Sequence, residues 1–491
     1  MLFNSYIFIF LFLPLCVSGW YVLNLFKNNA WAKCFLLAMS LWFYAYFNIK
    51  YLFLIIISII ANFLLCKIFQ TNLSFAWRKI FLAVGLVGNL GLLFYYKYLG
   101  FFVENINTIF NTDLFVQKLV LPLGISFFTF QQISFVLDCY KEKINHSFLD
   151  YALFVSFFPQ LVAGPIVLHN EIIPQFADPS NKKINFQNLS KGVFAFSFGL
   201  AKKVLVADTF GNLANLGFSD ISSLNSTSAI LTMLAYTIQI YFDFSGYCDM
   251  ATGLGLLFNI NLTQNFNSPY RALDMGDFWK RWHITLTRFL TQNFYIHLGG
   301  NRKGTLRTCI NKLFVFAISG LWHGANWTFI VWGILNGFSV ILSSALSKPL
   351  AFFKKRTPIL LWLATFLFIN LSWIYFRADS VQLANQMIKT IFDFNFGEIQ
   401  ISFIETLFAA EFDFVLWTVE KLLPNYKNLF TWGSFVLFFV FALVASTKLK
   451  NTNERLQEFT PNMKNLLISV LLLIWSIISL SGVSSFLYFN F

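Results

Sequence analysis

The sequence predicts an all-α, polytopic integral membrane protein, and three observations predict it. Only 12% of the 491 residues are charged while 57% are hydrophobic, with a mean hydropathy of +0.64. A soluble domain carries about 25% charged residues. Apolar runs also recur at roughly the 20-residue length that a helix needs to cross a bilayer. Finally, the net charge of +13 is gathered in polar stretches between those runs, as expected where cytoplasmic loops collect Lys and Arg.

Taken in order, the runs at 5–24, 34–49, 51–69, 80–96, 119–137, 228–246, 312–347 (two passes), 359–376, 431–446 and 465–485 read as spans. The stretches 150–168 and 190–209 are weaker candidates, because polar or Pro residues interrupt them. The total is about ten to twelve spans in one domain covering 1–491. The first run lacks a basic leader and is followed directly by further apolar segments, so it reads as a span rather than a signal peptide. Cys16, Cys34, Cys66, Cys139, Cys248 and Cys309 form no CxxC pair and read as buried reduced thiols.

The basic residues fix an expected topology. Lys27 and Lys33, then Lys67, Arg78 and Lys79, then Lys348 to Arg356, then Lys448 to Lys464 mark cytoplasmic stretches. The segment 377–430 carries four basic residues against seven acids and reads as an outer-face mixture of loop and amphipathic helix. Alternation then places Met1 and the aromatic ending, Phe486 to Phe491, at the outer face.

Polar groups inside spans are costly and mark function, and three stretches concentrate them. In "FFPQLVAGPIVLH", 157–169, Pro159, Gly164 and Pro165 break a regular helix beside Gln160. Either a re-entrant wall or a kinked structural helix satisfies that pattern. In 241–290, Asp243 and Asp249 precede a basic run from Arg271 to Lys312 that includes Lys280, Arg281, Arg302 and Lys303. That run is either an ordinary cytoplasmic loop or a mouth that attracts an anionic donor such as a nucleotide-bearing thioester. Around His283, "FWKRWHITLTRFL" has the spacing of an amphipathic helix at the membrane surface.

The third stretch is "SGLWHGANWTFIVWGILNG", 319–337, where His323 stands between Trp322 and Gly324. An intramembrane histidine is either a packed hydrogen-bonder or a general base, since neutral imidazole accepts protons near pH 7. Gly324 is expected to thin the backbone where a substrate passes. No G-x-S-x-G, Walker or H-E-x-x-H pattern occurs. His146, His169 and His297 lack a close set of ligand spacing, so no metal and no resident cofactor is expected. Nothing points to nucleic acid.

"PLGISFFTFQQISFVLDCY", "FFPQLVAGPI", "YFDFSGYCDMATGLG", "NFNSPYRALDMGDFWKRWHITLTRFL", "LGGNR" and "GLWHGANWTFIVWGILNG", in order between 122 and 337, closely resemble the membrane-bound O-acyltransferases. The nearest branch is similar to the bacterial proteins that O-acetylate alginate and peptidoglycan; teichoic acid D-alanyl transfer is more distant. The resemblance implies a multi-span fold around a central tunnel, with His323 matching the family's intramembrane histidine. His283 matches a second histidine of this branch, where Lys280 stands for a common Arg. The ending resembles the branch's Phe-x-Tyr-x-x-Phe motif through Phe486, Tyr488 and Phe491. It implies that Tyr488 relays the acyl group; from composition alone the same rings read as an interfacial aromatic belt.

The resemblance therefore implies an inner-membrane O-acetyltransferase. Acetyl-CoA is its expected donor, reaching Lys280, Arg281, Arg302 and Lys303 from the cytoplasm. A separate periplasmic polysaccharide O-acetyltransferase is its expected partner. A Phe-, Ile-, Asn- and Lys-rich composition, pointing to an A/T-rich genome, leans the acceptor toward peptidoglycan over alginate. A different acyl donor or acceptor, or a non-enzymatic transporter, are the alternatives.

Overall fold

The computed structural model describes residues 1–26, 30–117, 119–399, 401–407, 410–480 and 484–487. Among these the regular structure is helical throughout, with no strand. Five helices are long and apolar enough to cross a membrane: Ile49–Gln70, Phe75–Phe110, Trp327–Ala345, Pro358–Arg377 and Lys427–Thr447. Phe8–Asn24, Ala30–Ala45 and Met463–Ile478 are apolar and shorter. The chain packs as two compact units, in the main 1–196 with 250–263, and 197–249 with 264–487.

In the first unit, polar side chains join helices across the interior. Asn62 Nδ2 donates to Gln132 Oε1 (2.9 Å) and to Asn89 Oδ1 (3.2 Å), while Asn89 Nδ2 returns a bond to Asn62 Oδ1 (2.7 Å). Gln132 Nε2 donates to Ser58 Oγ at 3.0 Å, and the Tyr151 hydroxyl donates to Gln132 Oε1 at 3.2 Å. Helices Ile49–Gln70, Phe75–Leu93, Ile125–Lys141 and Phe148–Ser156 are thereby tied through buried amides. This explains why the expected span 119–137 is rich in polar residues. Its helix starts only at Ile125, after Gly124 at φ +68°, and nearly all of it is buried.

The expected weak span at 150–168 is not a continuous helix. The chain leaves helix at Ser156, makes one turn at Phe158–Leu161, and runs on without helix to Leu168. Every residue from 151 to 167 is buried. Gln160 satisfies this broken stretch by donating to the Phe154 carbonyl at 2.8 Å, and its own carbonyl accepts from Gly164 N–H at 3.1 Å. A side chain on Gly124 would meet Leu161 O at 2.7 Å. The two upstream motifs therefore pack backbone to backbone, and the stretch is a broken, buried chain and not one kinked helix.

In the second unit, Thr305–His323 and Trp327–Ala345 form a helical hairpin over the expected 312–347 run, and of the two only Trp327–Ala345 is long and apolar enough to cross a membrane. Glycines allow its close approach: a Cβ on Gly320 would meet Phe329 O at 2.1 Å, and one on Gly333 would meet Phe316 O at 2.3 Å. Small residues are what let helices pack in lipid, where no hydrophobic force drives them together. A π-helical turn at Lys202–Ala207 interrupts the helical chain within the expected 190–209 run. From 377–430, the amphipathic helix Val381–Phe392 buries Ala384, Met387 and Ile391. It docks where the Ser226 hydroxyl donates to Thr390 O at 2.7 Å.

Replacing Gln132 with Leu strands the buried Asn62, Tyr151 and Ser58 partners, at a cost of about 1–3 kcal/mol. Thermal unfolding in detergent should show a lowered midpoint; an unchanged midpoint would deny the network a role in stability.

Candidate active site

His323 is the last residue of helix Thr305–His323 and is 2% exposed. Asn326 caps the next helix by accepting from Thr328 N–H at 3.0 Å, so only three residues separate the two helices. The imidazole stands edge-on to Trp332 (centroids 5.2 Å, 90°), Phe376 (5.1 Å) and Trp322 (4.9 Å). Trp332 in turn stacks on Trp373 at 5.6 Å and 17°. Rigid aromatic walls of this kind fix an imidazole without adding charge. Gly324 does not leave the passage expected beside His323. The space a side chain would occupy is already filled by the Phe329 ring, 2.1 Å away.

His283 is fully buried, and its ring lies 6.3 Å, centroid to centroid, from His323. The stretch around it is not one surface helix. Helix Met275–Arg281 ends at Trp282, His283 takes a left-handed conformation (φ 45°, ψ 52°), and a second helix runs Ile284–Leu290. Such a conformation costs a non-glycine residue of order 1–3 kcal/mol and persists only where surroundings impose it. Here Asn265 imposes it: its carbonyl accepts from Ile284 N–H at 3.0 Å. Its Oδ1 accepts from Thr285 N–H (3.2 Å) and Thr285 Oγ1 (2.9 Å).

The same Oδ1 lies 3.2 Å from His283 Nδ1. A backbone N–H can only donate, so the atom facing Thr285 is oxygen, and Nδ1 must carry the proton. In the neutral ring Nε2 then carries the lone pair. Phe244 at 4.8 Å and Trp322 at 6.0 Å complete its surroundings. Two buried imidazoles thus share one aromatic chamber.

The basic run divides. Arg271 donates to the carbonyls of Thr447, Lys448 and Leu449 and pairs with Glu454, so it caps the end of helix Lys427–Thr447. Arg281 is tied to Asp277 at 2.9 Å. Lys280, Arg302 and Lys303 are exposed, and among the described residues they form no ion pair.

Near the chain end, Tyr488 and Phe491 lie outside the described residues, while Phe486 is buried and meets Tyr247 edge-on at 5.1 Å. A buried cation holds this segment. Lys203 Nζ, in the π-helical turn, donates to Asp243 Oδ1 (2.8 Å), Asp208 Oδ1 (2.7 Å) and the Ser485 carbonyl (3.0 Å). It also sits 4.7 Å from the centre of the Phe486 ring. Leu487 N–H donates to Asp243 Oδ2 at 2.9 Å and Ser484 Oγ to Asp208 Oδ2 at 2.6 Å.

The model of the MBOAT, membrane-bound O-acyltransferase, family matches residues 141–381. A peptidoglycan O-acetyltransferase of Helicobacter pylori is 42% identical over 523 aligned residues, covering 100% of this chain and 98% of that protein. The chain belongs to the membrane-bound O-acyltransferase family. A probable alginate O-acetylase of Pseudomonas aeruginosa is 36% identical over 82% of this chain and 76% of its own length. A teichoic acid D-alanyltransferase of Bacillus subtilis reaches 24% over 45% of this chain and 58% of its own. This membrane-bound O-acyltransferase is accordingly a multi-pass membrane enzyme that transfers acyl groups to oxygen.

Several residues of the site carry no local sequence signal. Asn265, Trp332, Trp373 and Phe376 look like ordinary polar or core positions. Lys203 was legible only as the second of two adjacent lysines in a mostly apolar run, and Asp208 as an acid five residues on. In the first unit, His146 and His169 hydrogen-bond each other at 3.2 Å, with Asp138 3.4 Å from His169, although 23 residues separate the two histidines.

Lys203→Met should release the segment 484–487. Carboxypeptidase digestion of the folded protein should leave residues 484–487 in place in the wild type and remove them in the variant. The pair Lys203→Met with Asp243→Asn, which leaves fewer uncompensated buried charges, gives the same reading should the single variant fail to fold. Identical trimming in wild type and variant would deny the clamp.

Proposed function

We propose that this enzyme moves an acetyl group from cytoplasmic acetyl-CoA across the inner membrane for O-acetylation of a cell-envelope polysaccharide. The observation that carries this reading is the buried histidine pair in its aromatic chamber. The acceptor is peptidoglycan, supported by the full-length similarity to a protein of that name at 42% identity.

In the proposed reaction, His323 accepts the proton of the Tyr488 phenol. That phenol has an unperturbed pKa near 10 and attacks weakly without a base. The phenolate oxygen forms a bond to the thioester carbonyl carbon, and the carbon–sulfur bond breaks. The CoA thiolate takes up the proton held by the imidazole, and an acetyl ester remains on Tyr488. His283, neutral with its Nδ1 proton held by Asn265, places an Nε2 lone pair beside the same chamber and assists in orienting or accepting a proton. A periplasmic O-acetyltransferase partner then takes the acetyl group to a glycan hydroxyl.

Of the four donor-binding candidates, Lys280, Arg302 and Lys303 are exposed and would attract the donor's phosphates from the cytoplasm. Arg281 is the weaker candidate, because Asp277 already neutralises it. The clamp on residues 484–487 supports the relay, since it fixes the backbone immediately before Tyr488.

In cells, His323→Ala and Tyr488→Phe should each lower the O-acetyl content of peptidoglycan by about 100-fold or more, the scale of a lost general base, with protein levels unchanged. Full acetylation in Tyr488→Phe would remove the relay. Full acetylation in His323→Ala would remove the base. Normal peptidoglycan acetylation with both residues replaced, accompanied by loss on another envelope polymer, would reassign the acceptor.

A further inference from the structure

The second unit contains a cavity of about 600 Å3, within the range of roughly 300–1,000 Å3 typical of small-molecule sites. Neither histidine lines it, and neither does any residue that clamps the chain end. Most of its wall is apolar, including Leu205, Leu437, Phe438, Phe441 and Trp475. Leu437 is 70% exposed, and Phe441 and Trp475 are each 51% exposed. Leu437 and Phe441 lie on the spanning helix Lys427–Thr447. The apolar part therefore opens toward the hydrocarbon of the bilayer.

One end of the cavity is polar and carries Lys202, Lys450 and Arg455 with Asn451 and Thr452. Lys202 is neutralised by Asp249, which also accepts from the Thr452 hydroxyl, and Lys450 by Glu458. Arg455 is different. Its Nε donates to the Lys450 carbonyl at 3.1 Å and its guanidinium lies 5.3 Å from the Phe198 ring centre. Among the described residues no acid pairs with it. The mouth thus holds three cations against two carboxylates, an excess of one positive charge on a planar group suited to phosphate.

We propose that this cavity binds one anionic glycerophospholipid taken laterally from the bilayer. An acyl chain fills the apolar part, and the phosphodiester pairs with Arg455. A single negative headgroup balances the single excess charge. A choline lipid would bring an additional cation to the same mouth. The site is independent of the acyl-transfer reading.

The test uses the full-length protein in nanodiscs of equal phosphatidylglycerol and phosphatidylcholine, released gently and weighed intact by native mass spectrometry. The wild type should retain one phosphatidylglycerol in preference to phosphatidylcholine by roughly fivefold, the effect of one basic residue facing an anionic lipid. Arg455→Lys should keep that preference. Arg455→Glu should lose it, and Arg455→Gln serves the same purpose should charge reversal prevent folding. Ala445→Phe, which narrows the cavity and leaves the charge in place, should lose the bound lipid. Excess glycerol phosphate, which lacks a chain, should not displace it. Equal retention of the two lipids would overturn the proposal, as would retention that survives charge loss at Arg455 or Ala445→Phe. Displacement by glycerol phosphate would make the site one for a free phosphate and overturn it equally.

Discussion

Hydrocarbon offers no hydrogen bonds, so a polar group carried into the membrane interior is costly unless the chain itself supplies its partner. That constraint orders the structure. The amides of Asn62, Asn89 and Gln132 partner one another and, with the Tyr151 hydroxyl, tie four helices. The Gln160 side chain answers a carbonyl left open where helix stops at Ser156. Lys203 is held by two carboxylates and a carbonyl. A buried ion pair is a poor source of net stability, because desolvation offsets its attraction. Its value here is specificity: the Lys203 group has one place to put its third bond, and the chain end occupies it.

The chamber around His323 and His283 follows the same logic with the opposite chemistry. Among the described residues its walls include Trp322, Trp332, Phe244 and Phe376, side chains that carry no formal charge. Asn265 assigns the His283 proton to Nδ1 through a hydrogen bond whose direction the neighbouring Thr285 N–H settles. A left-handed residue at His283 and a two-helix break accommodate this arrangement. In the proposed reaction the neutral form is the useful one, since a base must arrive without its proton.

The fold class and the helical hairpin around His323 were legible because they rest on patterns that sequence displays directly: apolar runs, glycines at helical spacing, a break between Trp322 and Trp327. The 150–168 stretch was not, because a buried broken chain and a kinked span share the same composition, and only the Gln160 and Gly164 bonds separate them. The "FWKRWHITLTRFL" stretch misled for a related reason. Its apolar spacing fits one helix, whereas the break at His283 is imposed by Asn265, 18 residues upstream. Gly324 reads as an opening beside His323 until Phe329, five residues on, is seen to fill it. Nor does the basic run display its internal partners, Arg271 at the end of helix Lys427–Thr447 and Arg281 beside Asp277.

The central claim is that an imidazole and the terminal phenol work on one acyl group. The most direct measurement is the intact mass of the C-terminal peptide after the purified protein has met acetyl-CoA, in wild type and in His323→Ala. The account predicts an added acetyl group on Tyr488 in the wild type and none in the variant. A wild-type peptide that stays unmodified while donor is consumed only in the presence of a periplasmic partner would contradict the relay, and would make the aromatic ending a docking element instead.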